Sequence, residues 1–121
     1  MYFLEDLEAW KISREFRKKI SHLAKSLPLK EKFRLIDQLI RSSRSVTANI
    51  AEGFGRFHYQ ENIQFCRQAR GSLLETLDHL YVAMDEEYII MDQFSEYKKD
   101  LLICLKVLNG YIYYLQKRKK K

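Results

Sequence analysis

Residues that break helices are almost absent from this sequence. One proline and four glycines interrupt 121 residues. A sandwich or barrel needs Gly and Pro at frequent turns. Here they leave long stretches unbroken, and within those stretches apolar residues recur at three- and four-residue steps, as one face of a helix requires. The first stretch, 6–26, carries Leu7, Trp10, Phe16, Ile20 and Leu23, with Asp6 placed as its N-cap. Pro28 stops it after Leu27, because proline lacks an N–H and restricts the residue before it. The second, 29–54, carries Ile36, Leu39, Ile40, Ser43, Val46, Ile50 and Phe54, and Gly53 and Gly55 are suited to a left-handed stop. The third, 59–87, carries Cys66, Ala69, Leu73, Thr76, Leu77, Leu80 and Met84. The fourth, 93–117, carries Tyr97, Leu101, Cys104, Leu105, Leu108, Ile112 and Leu115.

Short links between long helices favour antiparallel neighbours. The expected fold is therefore all-α, an antiparallel up-down-up-down four-helix bundle. One domain spans 1–116, and a basic tail spans 117–121. Ile36, Leu39, Val46, Ile50, Leu73, Leu77, Leu80, Leu105 and Leu108 are expected to share its core.

Catalysis finds little support in the residue inventory. His22, His58 and His79 sit at no spacing that makes a metal or acid–base pair, and His22 and His79 read as surface or boundary residues. Cys66 and Cys104 lie in apolar stripes, where a thiol is inert. Gly53-Phe54-Gly55 is too short for a phosphate loop and lacks a preceding strand. No catalytic residue, metal site or cofactor is expected. No apolar run reaches the roughly 18–20 residues of a membrane span, and the first residues lack the basic and apolar blocks of a signal peptide. A cytoplasmic location without membrane contact is expected.

Charge is unevenly distributed. Residues 1–70 hold 14 basic and 8 acidic side chains, 71–100 hold 2 and 8, and 101–121 hold 6 and 0. The segments thus carry +6, −6 and +6. Separate basic and acidic regions suit an acidic partner such as RNA, and they equally suit head-to-tail self-association through opposite patches. The run Lys117, Arg118, Lys119, Lys120 and Lys121 can hold phosphates without sequence preference. Tyr111, Tyr113 and Tyr114 beside it can stack on bases or cover the core.

Arg34, Gln38, Arg41, Ser45, Asn49 and Glu52 form a polar stripe at helical steps on the second segment. Ser and Asn are mediocre helix formers, so plain solvent exposure does not explain them. The stripe is either an interface or binding face, or a capping and packing device. In the second case Asn49 bonds the interhelix loop and Glu52 holds Arg41 or Arg56. Gly71 costs about 1 kcal/mol against Ala inside a helix, a cost usually offset by a close approach. Either the second helix of the same chain packs there, which is the preferred reading, or a neighbouring subunit's does, with Arg41 or Arg44 meeting Glu75 or Asp78.

Several of these residues fall in a pattern. Gln38-Leu39-Ile40-Arg41 is followed by Ser45-Val46-Thr47-Ala48-Asn49-Ile50-Ala51-Glu52-Gly53-Phe54-Gly55-Arg56. Phe3, Asp6, Leu7 and Trp10 open the chain, Leu27-Pro28 and Glu31 form its first link, and Ala69, Gly71, Ser72 and Glu75 mark the third helix. Over about residues 3–90 this resembles the four-helix-bundle proteins encoded in intervening sequences of bacterial large-subunit ribosomal RNA genes. The resemblance implies a ring-like homo-oligomer, typically a pentamer. More distantly it points to the accessory bundles of diversity-generating retroelements, which bind nucleic acid and a reverse transcriptase. The family usually places Ser or Thr before the third helix, where this chain has His58, a poorer cap. The expected function is a non-enzymatic homo-oligomeric module that associates with RNA or other nucleic acid through its basic surface and tail. The alternative is a protein-interaction scaffold that docks a protein partner without nucleic acid.

Overall fold

A computed structural model describes residues 2–119. It contains four α-helices: α1 (Glu8–Ser26), α2 (Leu35–Phe54), α3 (Tyr59–Asp85) and α4 (Met91–Lys119). Short 3-10 turns cover Leu4–Asp6 and Leu29–Glu31, and there is no strand among the described residues. None of the described helices is long and apolar enough to cross a membrane.

Both early helices start later than the apolar spacing predicts. Asp6 does not cap α1. Its carboxylate accepts the Phe3 N–H at 2.9 Å and closes the preceding 3-10 turn, while Leu7 occupies the cap position without a side-chain bond. The second helix begins at Leu35 and not near residue 29, because Glu31 turns inward. Its carboxylate accepts the Leu35 N–H at 3.3 Å and the Tyr88 hydroxyl at 2.7 Å. That geometry holds residues 32–34 outside the helix. Arg34 therefore sits at the N-cap with non-helical angles, 3.7 Å from Glu31.

Each helix packs on two others: α1 on α2 and α4, and α3 on α2 and α4. Partner numbers fall on one helix as they rise on its neighbour. Ser42 meets Thr76 and Ser45 meets Ser72 between α2 and α3. Asn62 meets Tyr111 and Tyr81 meets Phe94 between α3 and α4. Cys104 donates to the Ile12 carbonyl and Lys19 pairs with Asp100 between α4 and α1.

Leu39, Val46, Ile50, Leu73, Leu80 and Leu108 are buried in one cluster, and Ile36, Leu77 and Leu105 pack half-buried against it. Cys66 and Cys104 are free thiols in that core. Burial pushes them up to about 12 and about 11, far from the thiolate a nucleophile needs.

The glycines depart from expectation. None adopts a left-handed conformation; Glu87, with φ 63°, is the described residue that does. Gly53 is instead a buried contact inside α2, where a Cβ would stand 2.6 Å from Asn62 Oδ1 and 3.0 Å from Phe65 Cβ. Gly71 is exposed on α3, and nothing lies within 4 Å of where its Cβ would be. The expected packing of α2 on Gly71 is absent, because α2 crosses α3 on its Ser72–Thr76 side.

Candidate functional site

The polar stripe of α2 divides on folding. Its middle is consumed by a hydrogen-bonded seam with α3. Ser42 Oγ and Thr76 Oγ1 are 2.8 Å apart, Ser72 Oγ donates to Ser45 Oγ at 2.9 Å, and Asn49 Nδ2 donates to Ser45 Oγ at 3.0 Å and to the Ser45 carbonyl at 2.9 Å. Asn49 thus braces its own helix and does not bond the interhelix loop. Small hydroxyl side chains let the two backbones approach while satisfying their polar atoms across the contact.

Beside the seam lies an open polar recess of about 350 Å³, lined by Asp37, Gln38, Arg41, Ser42, Ser45, Glu75 and His79. Arg41 lies 3.5 Å from Asp37, so its intrachain partner is not Glu52. Glu52 pairs with Arg56 at 3.7 Å, one of the two partners expected for it. His79, expected at the surface or its boundary, is buried, because the crossing of α2 covers it. Its Nε2 is 3.8 Å from Glu75 Oε2. Arg44 turns to the other side of α2, into a recess shared with Arg17 and Lys18 of α1. Arg34 is removed from the stripe by the late start of α2, and Gly71 belongs to neither recess.

A separate recess, of about 630 Å³, lies where the α2–α3 link meets the C-terminal end of α4. Tyr2, Phe54, Phe57, Tyr59, Tyr111 and Tyr114 supply aromatic walls, and Arg56, His58 and Asn62 supply polar groups. Buried Asn62 donates from Nδ2 to the Tyr111 hydroxyl at 3.0 Å, which anchors α3 to α4 beneath the recess. Burial pushes the Tyr111 phenol up to about 12. Arg56 is held 4.9 Å over the Phe65 ring and 3.6 Å from Glu61. With its side chain so held, α3 starts at Tyr59 even though His58 makes no side-chain cap bond.

The basic run follows Leu115, the last residue of α4 to line this recess, and forms the last turn of that helix beside it. Lys117 Nζ lies 4.7 Å over Tyr113, the Arg118 guanidinium is stabilised in its charged form by the Tyr59 side chain, and Lys119 bonds Gln60. Lys120 and Lys121 lie outside the described residues. Of the three tyrosines read as stacking on bases or covering the core, Tyr111 and Tyr114 line the recess and Tyr113 does not. Sequence reasoning missed Tyr2, Phe54, Phe57 and Tyr59. A signal was present: three aromatics fall within six residues around Arg56. No group of three His, Cys, Asp or Glu side chains suited to a metal occurs among the described residues.

A family model of 23S rRNA-intervening sequence proteins matches residues 5–110. A crystal structure of a protein with unknown function from the S23 ribosomal protein family of Bacteroides thetaiotaomicron VPI-5482 is similar, with a TM-score of 0.80 and 28% identity, covering 87% of this chain and 95% of that one. No curated protein matches. The match over most of the chain, on a helical fold that superposes closely, establishes that the chain belongs to the 23S rRNA-intervening sequence protein family.

Proposed function

We propose that this protein is a non-enzymatic, cytoplasmic binding module that takes single-stranded RNA at one end of an up-down-up-down bundle and works as a homo-oligomer. The observation that carries this reading is an aromatic-walled recess with a cationic helix end beside it. Unpaired bases stack on aromatic side chains, and lysine and arginine hold the phosphates that follow. Arg56, Lys117, Arg118 and Lys119 supply the charge; Phe57, 91% exposed, and Tyr114 supply stacking surface. A duplex buries its base faces and would meet only the cations.

Fluorescence anisotropy of labelled, unrelated single-stranded RNAs tests it on the intact protein. Affinity should fall steeply with salt, because phosphate contacts release counterions. Phe57→Ala and Tyr114→Ala should each weaken binding by about 1–3 kcal/mol. Removing residues 117–121 should make the salt dependence shallower for all sequences alike. Absence of binding at low salt would sink the RNA reading. The second reading is a scaffold that docks a protein, and the polar recess of Gln38, Arg41 and Glu75 favours it. Under that reading Arg41→Ala changes partner binding or oligomer mass and leaves RNA affinity untouched.

A further inference from the structure

Four large apolar side chains crowd the end of the molecule opposite the aromatic recess. Leu29 is 80% and Phe33 85% exposed between α1 and α2, and Ile90 is 64% and Met91 61% exposed at the turn into α4. The two stretches are fastened together by the Tyr88–Glu31 hydrogen bond of 2.7 Å, so the four side chains project from one base. Singly exposed apolar residues are ordinary, whereas a cluster of them marks a contact surface.

Charge indicates what covers it. The α1–α2 stretch exposes Lys30, Lys32 and Arg34. The α3–α4 stretch exposes Asp85, Glu86, Glu87 and Asp92. Among the described residues no ion pair joins one group to the other. Within one copy, therefore, the opposite charges stay on separate sides of the apolar cluster. Nucleic acid and anionic lipid would be repelled by the carboxylates. A second copy of the same end matches both signs at once. A two-fold axis in the end face, running between the stretches, lays each basic stretch on the other copy's acidic one. One self-complementary patch then serves both copies, as an isologous contact requires.

We propose that this end pairs with the same end of a second copy, with Leu29, Phe33, Ile90 and Met91 enclosed between crossed rows of opposite charge. The pairing is independent of contacts along the helix faces and doubles whatever assembly those faces build. The end of one bundle is small against a standard interface of roughly 1,600 Å², so the pairing depends on concentration.

Sedimentation velocity of the full chain over a concentration series tests this. The mass should rise twofold and then level off. Two variants sharpen the test: Lys30→Glu with Lys32→Glu makes both stretches acidic, and Asp85→Lys with Glu86→Lys and Glu87→Lys makes both basic. Each alone should stay at half the wild-type limiting mass, with unchanged helical circular dichroism. An equimolar mixture should regain the full mass, since each copy then meets its complement. Phe33→Ser should lower the mass without changing the fold, because the side chain is exposed. Masses unaffected by every variant would overturn the proposal. So would a mixture that remains at the halved mass, or a wild-type mass that climbs past twofold as head-to-tail stacking would make it.

Discussion

The recess beside the α2–α3 seam and the recess at the end of α4 are made of opposite materials. The first is bordered by serines, a threonine and paired charges, and its seam atoms bond one another. The second is walled by aromatics, with Phe57 almost wholly exposed and cations beside it. The comparison teaches that a conspicuous polar motif can be spent on holding two helices together. A region with fewer marks in the sequence keeps its surface free for a ligand. Burial explains the difference: polar groups brought inside must bond each other, whereas aromatic rings at a helix end can remain in water.

Substitutions can break this division of labour. The largest effect is expected at Gly53, where the seam is tightest. Gly53→Ala forces a methyl against Asn62 and Phe65 and should lower stability by about 1–3 kcal/mol, read as a shift in the urea midpoint. It also disturbs Asn62 beneath the aromatic recess, so RNA affinity should fall with it. Thr76→Val should be smaller, about 1 kcal/mol, because Ser42 loses one partner and keeps the Leu39 carbonyl at 3.4 Å. RNA affinity should not move; a change there would show the two recesses to be coupled. Gly71→Ala should go the other way. The site is open, so alanine should stabilise α3 by about 0.5–1 kcal/mol, and a loss in the monomer-only regime would show an unrecognised contact.

The smallest effect is a pH dependence at the opposite end. The Tyr88 hydrogen bond holds the Glu31 carboxyl below its usual 4.5, and the same bond raises the Tyr88 phenol above its usual 10.0. The Glu31 contribution is complete above the unfolded carboxyl value and is lost as pH falls through the lower folded value. The Tyr88 contribution is complete below the unfolded phenol value and is lost as pH rises through the higher folded one. The stability gap between wild type and Glu31→Gln should therefore be widest near neutrality and close in acid. A gap that stays constant down to pH 2 would remove Glu31 as the group responsible.

Helix existence was legible in the sequence because it is a local property. Three- and four-residue spacing of Leu, Ile and Val, with breaks at Pro28 and after Gly53, set out four helices and most of the core. Residues such as Leu39, Ile50 and Leu108 have one sensible environment, and the pattern alone assigned it. The helix starts were less legible. Glu31 ends its stretch by turning inward to a tyrosine 57 residues away, and no local spacing announces that partner. Gly53 and Gly71 are the same residue in the same kind of helix. Only the crossing of α2 over α3 made the first a close contact and left the second in water. The aromatic recess likewise exists because Tyr2, Phe57 and Tyr114 are gathered from three separate parts of the chain. The sequence by itself determined which stretches coil and which faces turn inward, because periodicity acts between residues a few positions apart. Tertiary structure alone decided which polar groups are consumed in packing and which surfaces stay open, because those outcomes depend on partners that only the folded chain brings together.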